Sequence, residues 1–491
     1  MPDHDPAQDA PVATTAGLGS RALRNTILVL AAKVVARLIA LVTVLATLNW
    51  LGAPRYGTFT TLVNYTAIVS VVLDLGFNVL YVREGARDRA EIQRYLRNVM
   101  SVRLLMSVAS LVILAAALNI AGLGDLLAPA FALMVLTSYA TLLRNTLYAV
   151  QRLGYEAIAV VLESAVLLTL VIIGIETRQG VSYFVWAYAA QYAFSCIYFV
   201  LVLALKRIAV VGWRLEPRLM RAWFWRGLPF ALTFVLTILY FKIDQPLVYA
   251  LRPHEEAGWY GAAFKPFEAL LFIPMTLLSV AFPVLSVYHR ERPQELLDAV
   301  TRFYKALLII GWPMTVGSFL LAGPLTRLLF SSSFANAEPA LRILALSLVI
   351  GFVNNAFIGA LSASDRQSSF TWAAGWSLLA NVGMNIVLIP AYGYIGASWA
   401  TVATEIVLFI AGWVLTARYI GRVPVLRVGW RALLAGLVMG VVVLPLRDFG
   451  GVSIVIPILV GVGVYAVAVL LLRAISADEI RFARSAMAQS R

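Results

Sequence analysis

The sequence has little of the chemistry that disulfide frameworks, metal sites and catalytic motifs require. Its single cysteine, Cys196, excludes an internal disulfide and a thiolate metal site. Its three histidines, His4, His254 and His289, are scattered, with no partner at metal-ligand spacing. None of the motifs GxxxxGK[ST], HExxH and GxSxG occurs. We therefore expect no metal, no cofactor and no enzyme activity.

Charge is also scarce, at 13% of residues, whereas 61% are hydrophobic and the mean hydropathy is +0.85. A soluble domain has about a quarter of its residues charged, so the solvent for most of this chain must be lipid. Apolar runs of roughly 20 residues, the length of a spanning helix, recur from end to end. They predict an all-α, polytopic membrane protein with about fourteen transmembrane helices, numbered as spans 1 to 14 in chain order. The approximate limits of these spans are 28–50, 58–80, 104–121, 127–149, 157–175, 183–205, 228–250, 259–285, 306–329, 340–361, 371–390, 395–416, 432–446 and 453–472. The last two runs could instead be re-entrant.

The distribution of basic residues predicts the orientation of these helices. Alternate loops and both tails hold 28 Lys or Arg, and the other loops hold six. This asymmetry fits the positive-inside rule with both termini in the cytoplasm, and it explains the net charge of +14 without nucleic-acid binding. The six residues predicted to lie outside are Arg55, Arg178, Arg252, Arg327, Arg342 and Arg447.

A weak internal repeat indicates how the helices are grouped. Tyr56-Gly57 and Tyr260-Gly261 lie 204 residues apart in similar outer connections, and this offset aligns the first span with the seventh. Parallel repeats around a central path are typical of transporters. We therefore predict two pseudo-symmetric six-helix lobes plus two C-terminal helices. The predicted segments are a disordered cytoplasmic tail (1–20), an N-terminal lobe (21–207), a basic cytoplasmic linker (208–227), a C-terminal lobe (228–417), spans 13 and 14 (418–473) and a cytoplasmic tail (474–491).

Ten ionisable residues fall within predicted spans, where each costs about 2.5–3.5 kcal/mol on insertion scales and usually faces an internal cavity. The basic residues are Lys33, Arg37, Arg144, Lys242 and Lys265. The acidic residues are Asp74, Glu163, Asp244, Glu268 and Glu405. We predict that Arg37, Lys242, Lys265 and Lys33 bind an anionic substrate. The five acidic residues are the candidates for gating or ion coupling.

Span 7 combines charge with a predicted kink. Lys242 and Asp244 lie about 200° apart around a helix, so they do not neutralise each other on one face. Pro246 removes a backbone donor and conflicts with the carbonyl of Lys242, which predicts a hinge here. In span 8, Lys265 and Glu268 have the i, i+3 spacing of a local ion pair. For all four charges, purely structural pairing is the alternative.

The remaining charges have different structural alternatives. Lys33 and Arg37 share one face of span 1, and their long side chains could simply extend to the cytoplasmic headgroups. Arg144 at the end of span 4 is interpreted as a positive-inside anchor. Glu405 lies near the middle of span 12, so it is protonated, paired or part of a proton or sodium path.

Three stretches carry a resemblance to a known family. They are KIDQPLVYALRPHEEAGWYGAAFKPFEALLFIPMTLLSVAFPVLSVY (242–288), GPLTRLLFSSSFANAEPALRILALS (323–347) and LIPAYGYIGASWATVATE (388–405). They resemble polysaccharide-export flippases of the MOP superfamily, whose pattern places an aspartate before a "GxYxxA" loop, here Asp244 and Gly258 to Ala263. Ser331 departs from that pattern, because a glycine often follows "llf" there.

The resemblance implies two lobes around a central cavity, alternating access and an isoprenoid-pyrophosphate-linked oligosaccharide as substrate. It also implies a bacterial inner membrane location, a role in cell-surface polysaccharide synthesis, H⁺ or Na⁺ as coupling ion, and polymerase and glycosyltransferase partners. Arginine and lysine suit pyrophosphate, which agrees with the intramembrane cations. Three alternatives stay open: a drug or cation antiporter of the same superfamily, a peptidoglycan-precursor flippase, and a scaffold subunit of a glycan synthesis complex.

Overall fold

The computed structural model describes residues 15–448 and 451–475, with side chains from 31 to 448 and from 453 to 475. Within these ranges the protein is all-α, as predicted, and no strand occurs. The helices are α1 (Thr15–Val69), α2 (Val71–Asp74), α3 (Phe77–Arg87), α4 (Ile92–Ile120), α5 (Leu127–Ala149), α6 (Leu153–Glu176), α7 (Val181–Leu205), α8 (Pro217–Lys242), α9 (Asp244–Leu251), α10 (His254–Glu291), α11 (Pro293–Leu320), α12 (Ala322–Leu329), α13 (Ala337–Ala363), α14 (Gln367–Tyr419), α15 (Val425–Val443) and α16 (Val455–Leu471).

Eleven helical segments of the described chain are long and apolar enough to cross a membrane. Two of them, in α1 and α14, are interrupted at Gly52 (φ 70°) and Gly393 (φ 60°). Positive φ is accessible to glycine at little steric cost, so both breaks fall where the sequence permits them. Both also lie in gaps between predicted spans. Polytopic membrane architecture is confirmed, whereas the number fourteen is compatible with these helices and stays a prediction.

The ends of the chain and the linker need two corrections. Helix α1 begins at Thr15, so the tail predicted over 1–20 is helical in its last residues. No proline occurs between positions 15 and 53 to interrupt that helix. In the linker predicted over 208–227, residues from Pro217 onward already belong to α8. The rest of the N-terminal tail, and the C-terminal tail beyond 475, lie outside the described residues.

The chain divides into two compact units. Unit 1 contains residues 15–46, Val72–Ile113 and Leu126–Phe230, and unit 2 contains Thr47–Val71, Leu114–Asp125 and the described residues from Ala231 onward. Segments 47–71 and 114–125 thus group with the C-terminal half of the sequence. The predicted lobe boundaries, 21–207 and 228–417, stay a prediction.

Unit 1 is built on contacts of α5 with α3 and α7, and of α6 with α7. Large side chains such as Phe77, Tyr81, Phe199 and Trp223 are buried in one apolar cluster. Helix α4 contributes Leu96 and Val99 to this cluster. Farther along α4, Val108 and Val112 are each 65% exposed. Branched aliphatic side chains one helical turn apart on an exposed face are what a lipid-facing helix requires.

Unit 2 is organised around α13, which packs on α10, α11 and α14. Its core includes Phe352 and Phe357, both fully buried. Helices α15 and α16 pack against α11, where the Tyr465 hydroxyl donates to the Ile309 carbonyl at 2.8 Å. Helix α13 is enclosed on several sides. Polar side chains that its neighbouring helices direct into unit 2 therefore need hydrogen-bond partners within the unit.

A close helix approach within unit 2 fixes the start of α10. A Cβ atom on Gly258 would lie 1.9 Å from the Ala53 carbonyl oxygen, and one on Gly57 would lie 2.2 Å from the His254 carbonyl oxygen. Only glycine allows backbones to come this close. Gly57 belongs to the first Tyr-Gly pair that suggested the internal repeat, and Gly258 lies two residues before the second pair, so both regions serve helix packing here. The repeat itself stays a prediction.

Candidate functional site

Two lysines of unit 2 share one carboxylate. The Lys242 Nζ lies 3.1 Å from Glu268 Oε1, and the Lys265 Nζ lies 3.0 Å from Glu268 Oε2. The predicted i, i+3 ion pair of α10 is therefore present, and Lys242 joins it from the end of α8. All three side chains are partly exposed, Glu268 by 45%. The cluster keeps one positive charge in excess and is open to a ligand.

A helix break separates Lys242 from Asp244, so the two residues face different surroundings. Helix α8 ends at Lys242, α9 begins at Asp244, and Pro246 is the third residue of α9. The interruption lies where the proline was expected to produce one. A role of Pro246 as a moving hinge stays a prediction.

Asp244 is buried and receives its hydrogen bonds from neutral groups. The Tyr260 hydroxyl and the Thr401 hydroxyl donate to Asp244 Oδ2 at 2.9 and 3.0 Å, and the Asn385 amide donates to Oδ1 at 2.9 Å. No cation among the described residues forms a salt bridge with it. A buried carboxylate held by neutral donors can gain a proton or bind a cation without breaking an ion pair.

The side-chain oxygen of Asn385, a hydrogen-bond partner of Asp244, accepts no hydrogen bond within the described part of the chain. The Asn385 amide also donates to Asn381 Oδ1 at 3.1 Å, whereas Asn385 Oδ1 is buried without a hydrogen-bond partner in the described structure. Carboxylate, hydroxyl and amide oxygens are the ligands that hard cations prefer. The donor set therefore fits a small cation or a proton.

Glu405 repeats this arrangement in the same unit. The Tyr240 hydroxyl donates to Glu405 Oε1 at 2.8 Å, and the Asn354 amide donates to Oε2 at 2.7 Å. Glu405 and Asp244 both line an internal cavity of about 10 Å³. That volume is about the space of one water molecule. Neutral groups thus hold Glu405, and its role in gating or ion coupling stays a prediction.

Sequence reasoning found these carboxylates and missed their partners. Asn381 and Asn385 are one helical turn apart in the apolar stretch WSLLANVGMNIVLIP, and that spacing was the available signal. Gln245 was also missed, although its amide donates to the Thr60 hydroxyl at 3.0 Å and to the Ala257 carbonyl at 2.8 Å. Such contacts join residues far apart in sequence, so no local pattern indicates them.

In unit 1, Asp74 lies next to a fully buried arginine. Arg103 Nη2 donates to Asp74 Oδ1 at 3.3 Å and to Asn78 Oδ1 at 2.8 Å, and Nη1 donates to the Ser138 carbonyl. The pair flanks the break between α2 and α3, where Leu75 has φ 42° and Gly76 has φ 76°. A buried arginine at a helix break has an evident structural role.

Glu163 is also paired within unit 1. Arg144 Nη2 lies 2.6 Å from both Glu163 oxygens, and its guanidinium lies 5.5 Å from the centre of the Phe199 ring. Arg144, interpreted as a positive-inside anchor, thus has a carboxylate of the protein as its partner, which the sequence analysis did not predict.

The two cations of span 1 differ in their surroundings. Lys33 Nζ lies 3.7 Å from Glu156 Oε2, and the Tyr148 hydroxyl donates to Glu156 Oε1 at 3.0 Å. Glu156 is only 2% exposed and was not among the predicted candidates. Arg37 is exposed. The structure thus brings Lys242, Lys265 and Glu268 together, while Lys33 belongs to a separate pair.

Two family models match different parts of the sequence. A family model described as polysaccharide biosynthesis protein matches residues 22–289, and one described as lipid II flippase MurJ matches residues 269–475. The probable low-salt glycan biosynthesis flippase Agl15 of Haloferax volcanii is 21% identical over 45% of this chain and 48% of its own length. The succinoglycan biosynthesis transport protein ExoT of Rhizobium meliloti is 29% identical over 40% of this chain and 41% of its own length. The alignments thus span about half, or less, of these curated relatives.

Solved structures match over more of the chain. The inward closed lipid II flippase MurJ has a TM-score of 0.75 at 17% identity, over 91% of this chain and 99% of its own. An inward-facing multidrug resistance MATE transporter of the MOP superfamily has a TM-score of 0.65 at 16% identity, over 77% and 94%. At such low identity these likenesses establish a shared fold.

Proposed function

Since the chain belongs to the polysaccharide biosynthesis protein family, we propose that it is a flippase for an isoprenoid-pyrophosphate-linked oligosaccharide. It moves the lipid-linked sugar across the bacterial inner membrane by alternating access, for cell-surface polysaccharide synthesis. Two curated relatives named for glycan biosynthesis support this function. Both termini lie in the cytoplasm, and glycosyltransferases and a polymerase act before and after transport.

The observation that carries the proposal is the cluster of Lys242, Lys265 and Glu268. Two ammonium groups from different helices converge on one carboxylate, with Nζ–Oε distances of 3.1 and 3.0 Å. An incoming pyrophosphate offers several anionic oxygens and replaces Glu268 as their partner. Charge-assisted hydrogen bonds to phosphate are about twice as strong as neutral ones, so two lysines bind this group selectively.

Arg37 and Lys33 are proposed as further anion-binding residues of unit 1. Arg37 is exposed, so its guanidinium is accessible to an anionic group. Lys33 is 39% exposed and lies 3.7 Å from Glu156, beyond hydrogen-bond distance, so its amine is only loosely engaged.

Asp244 is the proposed ion-coupling residue, with Glu405 beside it. Its neutral donors and the unpartnered Asn385 oxygen suit a proton or a sodium ion as the coupling ion. Binding there changes the hydrogen bonds between α9, α10 and α14, since Asp244, Tyr260 and Thr401 lie on those three helices. Pro246 next to Asp244 is the proposed hinge, and Glu268 gates the lysines. The predicted coupling roles of Asp74 and Glu163 are the weakest, because both carboxylates already have arginine partners.

Two other functions have specific support. The match of residues 269–475 to the lipid II flippase model favours a peptidoglycan-precursor flippase, which uses the same headgroup chemistry. The fold shared with a MATE transporter favours a drug antiporter. Against the antiporter, the partly exposed cluster of Lys242, Lys265 and Glu268 carries a net positive charge, which disfavours a cationic drug.

The test is the sidedness of lipid-linked oligosaccharide in inner-membrane vesicles from a strain depleted of this protein. We expect the intermediate to accumulate on the cytoplasmic leaflet and wild type to relieve this. Lys242→Gln/Lys265→Gln is expected to fail, whereas Lys206→Gln, in an exposed loop, is expected to succeed. Unchanged sidedness after depletion would overturn the proposal, and accumulation of peptidoglycan precursor alone would establish the first alternative.

A further inference from the structure

A second cavity lies in unit 2, on the face that the positive-inside rule predicts to be external. Its volume is about 460 Å³, within the range of small-molecule sites. Arg327, Arg342 and Arg447 line it together with Glu338. None of these residues belongs to the lysine cluster or to the surroundings of Asp244.

The three arginines come from separate elements and are unexpected on this face. Arg327 lies in α12, Arg342 in α13, and Arg447 after the 3₁₀ turn Leu444–Leu446. The sequence places only six basic residues in the predicted external loops, and half of them line this one cavity. Topogenesis disfavours external arginine, so their convergence requires another reason.

One of the three arginines is neutralised within the protein. Arg342 Nη2 lies 2.6 Å from Glu338 Oε1. The Glu338 carboxylate packs tightly against Gly323, where a Cβ atom would lie 2.9 Å from Oε2. The carboxylate thus lies near the start of α12, with Arg342 as its partner.

The other two guanidinium groups are available. Arg447 Nε lies 3.8 Å from Asp448 Oδ1, but the side chains are 58% and 88% exposed, and such surface pairs contribute little. Arg327 is exposed and forms no salt bridge within the described part of the chain. The cavity therefore presents two guanidinium groups, Arg327 and Arg447, that have no strong ion pair within the described residues.

The wall also has an apolar part and one further carboxylate, Asp448. Phe319, Leu320 and Leu444 form the apolar part, and the Arg342 guanidinium lies 5.9 Å from the centre of the Phe319 ring. A cavity that combines apolar groups with three arginines suits a phosphate attached to hydrocarbon at the membrane surface.

We propose that this cavity binds the phosphate of an anionic headgroup at the external membrane interface through Arg327 and Arg447. The phosphate comes from an acidic phospholipid of the outer leaflet or from a free diphosphate. The site goes beyond the proposed transport function, because binding here needs neither Lys242 nor Asp244.

The experiment measures binding to the full chain in detergent by titration calorimetry, with three probes. These are dioctanoyl phosphatidylglycerol, inorganic pyrophosphate and, as the uncharged reference, dioctanoyl phosphatidylcholine. We expect Arg327→Gln/Arg447→Gln to weaken binding of an anionic probe by about tenfold or more, since a hydrogen bond between charged groups contributes roughly 1.4 kcal/mol or more. Arg178→Gln, an external arginine of unit 1, is the matched control.

The probes separate the two sources of phosphate. Binding of phosphatidylglycerol that the double variant loses supports a lipid headgroup. Binding of pyrophosphate that the double variant loses supports a free diphosphate. Binding of neither anionic probe, equal binding of phosphatidylcholine, or full binding by the double variant overturns the proposal. The variant Arg327→Lys/Arg447→Lys keeps both positive charges and should keep the melting temperature of wild type. It must retain part of the binding, which separates an effect of charge from an effect on folding.

Discussion

Two buried carboxylates of unit 2 differ in their partners from the buried carboxylates of unit 1. In unit 1 each one lies beside a cation, in the pairs Asp74 with Arg103, Glu156 with Lys33 and Glu163 with Arg144. In unit 2, Asp244 and Glu405 receive hydrogen bonds from hydroxyl and amide groups only, whereas the buried Glu256 pairs with Arg252 at 2.9 Å. The same residue types thus have different partners in the two regions, and they are suited to different chemistry.

The difference indicates where ion-dependent chemistry resides. Removing one partner of a buried ion pair leaves an uncompensated charge, so such pairs are typical of fixed structure. A carboxylate with neutral donors loses no ion pair when it binds a proton or a cation. We therefore propose ion coupling at Asp244 and Glu405, and structural pairing for the buried carboxylates that lie beside a cation.

The largest effect on ion coupling is expected for Asp244→Asn, which keeps the shape of the side chain and removes its charge. The ion gradient should lose its effect on transport, and coupling of this kind typically amounts to roughly 5–150-fold. The measurement is transport rate with and without a proton or sodium gradient in proteoliposomes. Asp365→Asn, an exposed position, is the control. Full gradient dependence in Asp244→Asn would remove the basis of the comparison.

A large effect on stability, in place of coupling, is expected for Arg103→Met. Asp74 would remain buried without its cation, which costs about 3–5 kcal/mol of unfolding free energy. Thermal unfolding of the purified protein measures this loss, with exposed Arg87→Met as reference. Adding Asp74→Asn should recover part of the stability, because the second change removes the unpaired charge. If Arg103→Met unfolds like wild type, the pair has no structural role.

Intermediate effects on substrate affinity, opposite in sign for a lysine and for Glu268, are expected within the cluster of Lys242, Lys265 and Glu268. Lys242→Gln should weaken binding of a pyrophosphate-linked lipid by about tenfold, since each charged hydrogen bond contributes roughly 1.5–3 kcal/mol. Glu268→Gln should strengthen it, because that carboxylate competes for both lysines. Binding titrations with the two variants measure both signs. Weaker binding by both variants would mean that Glu268 positions the lysines instead.

The smallest effect is expected at Glu216, in the loop before α8. Hydrogen bonds from Arg94 lower the pKa of this carboxyl to about 2, from an ordinary value of 4.5. A carboxyl with a lowered pKa stabilises the folded state above its unfolded pKa, and this contribution disappears as the pH falls toward 2. The melting temperatures of wild type and Glu216→Gln should therefore differ by a small, constant amount from pH 7 to pH 5. The difference should shrink below pH 4.5.

The control for that series is Glu176→Gln, which changes an exposed carboxylate at the end of α6. It should follow wild type at every pH. A difference between wild type and Glu216→Gln that grows as the pH falls below 4.5 would contradict the role given to Arg94.

Hydropathy and loop charge were sufficient to predict the all-α membrane architecture, because apolar runs and turn residues are local properties of a sequence. They also located the breaks near Gly52 and Gly393, where glycine interrupts an otherwise apolar stretch. The grouping of residues 47–71 with the C-terminal half could not be predicted, since it depends on glycine contacts between distant helices.

The candidate site was predicted where charge stood out and missed where it did not. Asp244 and Glu405 were identified because a carboxylate in an apolar run is costly. Their partners Asn385 and Thr401 were not, since amides and hydroxyls are common in membrane helices and carry no comparable penalty. Glu156 was missed because it lies near the start of α6, where a carboxylate is unremarkable in the sequence.

The most direct test of the central claim is reconstituted transport. Proteoliposomes containing wild type should move a fluorescent isoprenoid-pyrophosphate-linked oligosaccharide from one leaflet to the other, measured by quenching from outside. Lys242→Gln/Lys265→Gln should reduce that rate to the level of protein-free liposomes, while Lys206→Gln should match wild type. A rate for wild type equal to that of protein-free liposomes, or an unchanged rate in the double variant, would contradict the account.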